Sequence, residues 1–539
     1  ITLTSNGGSM DGYLARYDIC GIDWAFDFGS SNSPEEGRIV RYHTGVEKLY
    51  LGGTIRGGIP SPGFQGASGN PVAVSENSLN LNSTFQSKGF VAQVDPWTGQ
   101  VDWVYIIGDN VNERTVFKNL KIGPNGDLFI VAEFIGTVTV AGTGVPSNSG
   151  SVDILLLSLT TAGVPAGFYD FGSDGHDLVE SLDFDAKDHI LVTGTLPPSS
   201  TISLAGTTVG PSSDRDIYLA YIHNTFIPLN LSVLTSPGND YAWDIEVRYP
   251  DFDDGTWDWA IFLTGEFRDQ LNYSFGGGSV SATTPTAGDN HAFIMGMNPN
   301  QEPQWLVSGG GSGFKSRGHQ LCIANNQLYT TGWYEAVSII SPAFNGFFAN
   351  GISSAGSTGA TSNQADVFVT EQDFDGTFNV IDQVQGTGSD DKAYDIETDG
   401  SNVYLSGAFG GALLNTISFN GAPLSAASSI SDVYFSRRDF SGSFFEVISS
   451  TDEPIKQGNQ VSTLSIYPNP GTGIFQIEGL ESSEYELLVT DASGKIVLQQ
   501  TIDTESSKID LTTCGEGLYF AQVRSNSNKE LQTFKLMIH

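Results

Sequence analysis

Along most of the chain, apolar and polar residues alternate in short runs set off by Gly, Asn and Asp. A period of two over such runs predicts β-strands joined by tight turns. No long stretch keeps the 3.6-residue period of an amphipathic helix, so the pattern predicts an all-β chain.

The runs recur. A short strand, often after Asp, stands at Asp-Gly-Tyr-Leu-Ala (11–15), Lys-Gly-Phe-Val-Ala (88–92), Asp-Ile-Leu-Leu-Leu (153–157), Asp-Ile-Tyr-Leu-Ala (216–220), His-Ala-Phe-Ile-Met (291–295), Asp-Val-Phe-Val-Thr (366–370) and Asp-Val-Tyr-Phe-Ser (432–436). A Gly-containing turn and a second strand follow, with Trp24, Trp103 and Trp305 at one shared place. A third strand, such as 37–41 or 394–398, precedes a fourth, such as Leu-Tyr-Leu-Gly-Gly (49–53) or Val-Tyr-Leu-Ser-Gly (403–407). Four strands per unit, repeated six or seven times, predict a β-propeller. A linear β-solenoid is the rival, but its repeats are shorter than these.

Seven first-and-second hairpins stand against six third-and-fourth hairpins, so the chain begins mid-unit. Seven blades, the last one incomplete, is the leading arrangement, and six is the alternative. Closure takes one of two forms. Residues 432–449 join the N-terminal strand in a last blade, or an incomplete blade accepts a strand from another chain. Bare strand edges are unfavourable, which motivates the second form.

These units resemble the SBBP-type β-propeller repeats of secreted bacterial proteins, best over residues 11–53 and more loosely over 1–450. The resemblance implies a scaffold and leaves activity open. Residues 451–461 read as a polar linker. Residues 462–539 then carry Tyr467-Pro468-Asn469-Pro470, a turn at Gly494-Lys495, Gly517-Leu-Tyr519 and a closing strand through Lys535, which predict a small Ig-like β-sandwich. This segment resembles the type A C-terminal sorting domain of the type IX secretion system of Bacteroidetes. The family usually ends on a basic residue, whereas this chain ends Met537-Ile538-His539. The resemblance implies export by Sec and then type IX secretion, with the secretion machinery as partner. It also implies cleavage in the linker, then release or attachment to surface lipopolysaccharide. A generic Ig-like adhesion domain is the alternative.

Charge narrows the partners. The 539 residues hold 24 Lys and Arg against 61 Asp and Glu, a net charge of −37. Phosphate backbones and anionic membranes need basic patches, so nucleic acid is excluded as a partner. No apolar run approaches the ~20 residues of a membrane span. Five Lys and Arg against ten Asp and Glu fall in 461–539, so most of the excess acid lies in the repeats, often at their turns. Cys20, Cys322 and Cys514 are too far apart and too few for a disulfide framework, and Cys322 reads as a small buried hydrophobe. The chain starts at Ile1 without Met, as processing or truncation would leave it.

Candidate chemistry is thin. There is no HExxH, GxSxG or P-loop pattern, so no catalytic residue and no organic cofactor is assigned. Asp183, Asp185 and Asp188, and likewise Asp251, Asp253 and Asp254, are weak Ca²⁺ candidates that lack the full alternating ligand set. Trp257, Trp259 and Trp333 fall outside the repeat register and could stack on a sugar. Inter-unit loops at 55–87, 268–288 and 335–363 are expected to carry contacts. The expected function is that of an exported, non-enzymatic module for adhesion, for binding a surface glycan or protein, or for surface assembly. The alternatives are a filament or surface-layer subunit formed by strand exchange, and a secreted polysaccharide-active enzyme.

Overall fold

The computed structural model divides the chain into two compact units, residues 1–450 and 451–539. The structure describes residues 12–18, 21–28, 36–56, 87–108, 113–147, 151–210, 213–249, 260–284, 287–310, 314–336, 365–386, 391–400, 402–409, 416–419, 422–425, 432–439 and 446–447 of the first. In the second it describes 465–467, 472–478, 485–491, 496–502, 508–512, 514–515, 517–525 and 531–538. All regular elements among them are strands.

The first unit opens on a hairpin, β1 (Gly12–Asp18) and β2 (Gly21–Phe28), whose strands pair only with each other among the described strands. Six four-stranded antiparallel blades follow. Blade one is β3 (Glu36–His43), β4 (Lys48–Arg56), β5 (Ser87–Val94) and β6 (Val101–Ile106). Blade two is β7 (Arg114–Ile122), β8 (Leu128–Ile135), β11 (Asp153–Leu159) and β12 (Pro165–Phe171), with the hairpin β9 (Thr137–Val140) and β10 (Thr143–Pro146) inserted. Blade three is β13 (Leu178–Phe184), β14 (His189–Leu196), β17 (Asp216–His223) and β18 (Pro228–Leu234), with β15 (Ile202–Leu204) and β16 (Thr207–Val209) inserted. Blade four is β19 (Tyr241–Arg248), β20 (Ala260–Arg268), β23 (Asn290–Met297) and β24 (Pro303–Gly309), with β21 (Gln270–Phe275) and β22 (Gly278–Thr283) inserted. Blade five is β25 (Phe314–Ala324), β26 (Gln327–Ala336), β27 (Ala365–Gln372) and β28 (Phe378–Gly386). Blade six is β29 (Lys392–Thr398), β30 (Asn402–Phe409), β33 (Asp432–Asp439) and β34 (Glu446–Val447). Its inserted hairpin, β31 (Thr416–Phe419) and β32 (Ala422–Ser425), extends the sheet of blade five.

This is a β-propeller with six complete blades, the smaller of the two expected counts. Each blade joins the third and fourth strands of one sequence unit to the first and second strands of the next. The phase corrects one expectation. Residues 432–439 complete blade six with β29 and β30, so they do not await the N-terminal strand. Among the described strands, the element short of four strands lies at the other end, in β1 and β2. The expected loop at 268–288 is likewise largely the hairpin β21–β22, because Gln-Leu-Asn-Tyr-Ser-Phe alternates before a glycine turn. Loops 55–87 and 335–363 fall mostly outside the described residues.

One apolar cluster fills each junction between sequential blades. Leu156, Val179 and Tyr218, for example, join blades two and three. A further cluster, including Trp24, Phe28, Leu51 and Phe90, fixes the β1–β2 hairpin to blade one. Apolar burial between sheets is the main favourable term in such a fold.

The second unit packs two antiparallel sheets. One is β35 (Ser465–Tyr467), β36 (Ile474–Glu478) and β39 (Lys508–Asp510). The other is β37 (Tyr485–Asp491), β38 (Ile496–Ile502), β40 (Gly517–Ser525) and β41 (Leu531–Ile538). Phe475 and Ile509 from the first sheet meet Leu487, Val523 and Leu536 from the second in a single core, which makes a small sandwich.

Candidate functional site

Three recurrent tryptophans show how the hairpins are held. The Trp305 indole N–H donates to the Phe374 carbonyl at 2.8 Å, and its ring lies on Gly376 in the β27–β28 turn of the next blade. Trp103 does the same to Thr161 and Gly163 of blade two. Trp24, on β2, donates to the Pro96 carbonyl at 3.0 Å and lies on Gly99 in the β5–β6 turn of blade one. Each glycine has φ between +68° and +88°, a left-handed conformation that a side chain opposes. The β1–β2 hairpin therefore holds, against blade one, the place that the outer half of a preceding blade would hold.

The first strand of every blade carries a β-bulge at one equivalent position. The bulged residues are Arg38, Lys118, Glu180, Trp243, His319 and Tyr394. Bulges re-aim side chains, and these six sets converge on a shared central channel. Arg38 bonds Glu180 at 2.7 Å, and Lys118 bonds Glu180 at 2.8 Å and Glu133 at 2.9 Å. Trp243 stacks on His319 with ring centroids 5.4 Å apart, and His319 meets Tyr394 edge-on at 5.8 Å. Arg317 lies over the Trp243 ring and pairs with Glu266 at 2.7 Å. Burial, then the Arg38 and Arg317 charges, lower His319 to about 4, so it is neutral at pH 7.

Three residues further along each strand stand Arg41, Lys121, Asp183, Glu246, Cys322 and Glu397. Lys121 pairs with Glu246 at 2.7 Å and Arg41 with Glu397 at 3.0 Å. Lys121 thus reaches from blade two past blade three to blade four, and Arg41 joins blade one to blade six. Burial raises Glu246 to about 8; Lys121 opposes the shift, while Asp183 and Asp244 add to it. Burial likewise raises Asp244 to about 6 against the pull of Lys121. The buried Cys322 thiol is pushed well up, first by desolvation and then by Glu397 and Glu246. A thiol so disfavoured as thiolate is a weak nucleophile. The channel groups are spent largely on one another.

An open cleft of ≈ 800 Å³ adjoins these groups at Arg38. Tyr13, Leu14 and Arg16 of β1 line one side of it, Arg38, Ile39, Val40 and Tyr42 of β3 a second, and Asp395, Ser406 and Phe435 of blade six a third. It therefore sits between blade six and blade one, beside the β1–β2 hairpin.

The second unit has its own signature. The buried Tyr519 donates to the Gly515 carbonyl at 2.8 Å, and Gly517 opens β40 at φ +151°. Residues 465–539 match the model of the secretion system C-terminal sorting domain. The protein is exported. It travels by Sec and then by the type IX system to the cell surface or the medium, and the sorting module engages that machinery. No curated protein matches the chain. Among solved structures, a glycoside hydrolase family 32 protein from Bifidobacterium adolescentis is similar at 7% identity, over 78% of this chain and 76% of that one, with TM-score 0.24. The extracellular domain of the hybrid two component system BT4673 from B. thetaiotaomicron is similar at 10% identity, over 100% and 98%, with TM-score 0.17. PorZ, a surface component of the type-IX secretion system of Porphyromonas gingivalis, is similar at 10%, over 94% and 93%, with TM-score 0.13. None of these scores supports a functional argument.

The other expected residues of this exported protein are placed as follows. Asp183 accepts the Val247 N–H at 2.7 Å in the channel wall. Asp185 accepts the N–H groups of Lys187 and His189 and the Tyr221 hydroxyl in the β13–β14 turn. Asp188 holds φ +64° in that same turn. The Asp183 and Asp185 oxygens serve protein donors, and no group of three or more metal-ligating side chains gathers among the described residues. Asp251, Asp253, Asp254, Trp257 and Trp259 lie outside the described residues, as do Pro468, Asn469, Pro470, Gly494 and Lys495. Tyr467 ends β35 opposite Gln476, and Lys535 pairs with Phe520 in the four-stranded sheet of the second unit. Trp333 lies in the channel region with Arg317 and Lys392 over its ring. Sequence reasoning missed the six bulges, because an extra residue in a strand leaves no mark in a period-two pattern until the partner strand is known.

Proposed function

We propose that this exported propeller is a non-enzymatic binding module, acting at the cell surface or beyond in adhesion or assembly. The observation that carries the reading is the open, largely apolar cleft between blades six and one, set against a channel whose charged groups pair with one another. Contiguous apolar surface on a soluble protein marks contact sites. The test applies the full chain to fixed cells of the secreting bacterium and to arrayed glycans, alongside a panel of soluble polysaccharides. Saturable binding with no release of reducing ends is the expected result. Turnover of any polysaccharide would establish the enzymatic reading instead.

A further inference from the structure

Around Lys121 the channel holds more acid than base. Blade three presents Asp183, and blade four presents both Asp244 and Glu246. Arg41 of blade one stands close by, with Asp395 and Glu397 of blade six. Among the described residues, that makes two cations against five carboxyls. The other titratable neighbours, Tyr249 and Cys322, are neutral at pH 7, since burial pushes both upward. Full ionisation would leave three negative charges in excess, and burial of unmatched charge is strongly unfavourable. A carboxyl so placed takes up a proton instead.

Local donors decide which carboxyl that is. Asp183 accepts the Phe184 N–H at 2.9 Å and the Val247 N–H at 2.7 Å. Asp244 accepts the Leu321 N–H at 2.8 Å and the Ser181 hydroxyl at 2.6 Å. Fixed donors favour the ionised form. Glu397 reaches solvent and pairs with Arg41, and Asp395 has the Arg41 charge and the Ile396 N–H. Glu246 has no such support. Among the described residues its one polar partner is Lys121, at 2.7 Å. Lys121 is shared, because Asp183 lies 3.7 Å from the same ammonium. Burial disfavours that ammonium, but Asp183 and Glu246 outweigh it and hold Lys121 charged. One ammonium cannot match two carboxylates, and Asp183 has the N–H donors that Glu246 lacks.

We propose that Glu246 is a proton switch at the centre of the propeller, neutral in acid and ionised in base, with Lys121 as its shared partner. While Glu246 holds the proton, the Lys121 charge is matched by Asp183, between the neighbouring blades two and three. Once the proton leaves, Lys121 and Glu246 form a charged strut from blade two to blade four, and the cluster gains one negative charge. Burial raises Glu246 to about 8; Lys121 opposes the shift, and Asp183 and Asp244 add to it. The unfolded glutamate titrates near about pH 4. The contribution of Glu246 to stability is therefore complete below about pH 4 and is lost as pH rises through about 8. The switch belongs to the channel and does not rest on the binding reading.

The full chain labelled with carbon-13 at its glutamate side-chain carboxyls reads the switch, because the aspartates are then silent. Carbon spectra taken across neutral pH should contain a resonance with its midpoint near 8 that is absent from Glu246→Gln. Glu133, also raised by burial, keeps its resonance in that variant. Lys121→Met removes the cation that opposes protonation, so the Glu246 midpoint should rise by about one unit or more. Urea unfolding adds a stability readout. The folding constant of the native chain relative to Glu246→Gln should fall about tenfold per pH unit between about pH 5 and 8. Glutamate midpoints that all lie below about pH 6 overturn the proposal. So does a midpoint near 8 that survives Glu246→Gln, or a native chain and Glu246→Gln whose stabilities run parallel with pH. A midpoint that ignores Lys121→Met overturns the shared partner. Should Glu246→Gln not fold, the Lys121→Met shift still separates Glu246 from Glu133, whose cation is Lys118.

Discussion

At the scale of single residues, the propeller is held by a few donors and glycines that recur from blade to blade. Trp305 lays a half-buried indole against the neighbouring turn and satisfies its N–H there. Truncating a fully buried aromatic removes about 3–5 kcal/mol, so Trp305→Ala should cost part of that and lower the urea midpoint. Gly376→Ala should also destabilise, because its Cβ would come within 2.9 Å of that indole at φ +88°. Trp24→Ala should act differently. It frees only a terminal hairpin, so hydrogen exchange should quicken over residues 12–28 while the global midpoint shifts little. Buried acids give a pH signature. Burial raises Asp240 to about 8 and Asp177 to about 7; Asp214 and Asp216 add to the first, and the Ser236 hydroxyl and Arg268 N–H oppose it. Each is protonated in the fold and ionises near pH 4 when unfolded. Their contribution is therefore complete below about pH 4 and is lost as pH rises through the folded values, at about 1.4 kcal/mol per unit for each group. Urea midpoints between pH 5 and 9 should fall, and Asp240→Asn, neutral throughout, should flatten that slope.

At the scale of the strand, the bulge is the working device. One extra residue per first strand turns a side chain from the blade face into the channel. Glu180 is the hub there, since it pairs with both Arg38 and Lys118 while itself well buried. Removing one member of a buried pair leaves uncompensated charge and destabilises by about 3–5 kcal/mol. Glu180→Ala should lose about that much, and R38M on the same background should recover part of it, since Lys118 keeps Glu133 as its partner. Denaturant unfolding of the three proteins measures both steps. Strand existence, order and the repeat were legible in the sequence, because Asp-Ile-Tyr-Leu-Ala (216–220) and its counterparts carry a period of two and shared turns. Strand grouping was not. Sequence shows which strands follow one another, whereas the sheet joins β4 to β5 across thirty residues, so the blade phase was read one hairpin out. The channel was also hidden. Arg38 meets Glu180 across 142 positions, and no local pattern encodes a pairing of that range. The sorting module was the most legible part, since the pieces of its signature follow in order through one self-contained segment, 465–539.

At the scale of the whole propeller unit, the question is whether the face between blades six and one is truly uncovered in solution. Substitution at structurally equivalent positions answers it without any ligand. Val40 and Leu182 occupy the same place relative to their bulges, as Val433 and Ile217 do on the first strands. In a closed ring all four would be interior, and a lysine at any of them would bury an unpaired charge. Such a change is among the few that exceed about 4–5 kcal/mol. With the cleft open, Val40→Lys and Val433→Lys should change unfolding free energy by no more than about 0.5 kcal/mol, as surface substitutions do. Leu182→Lys and Ile217→Lys should unfold the unit or cost several kcal/mol. Urea titrations of the four single variants read the contrast directly. Equal damage at Val40 and Leu182 would mean that the face is covered in the isolated chain, and the ring would then be closed by its own residues.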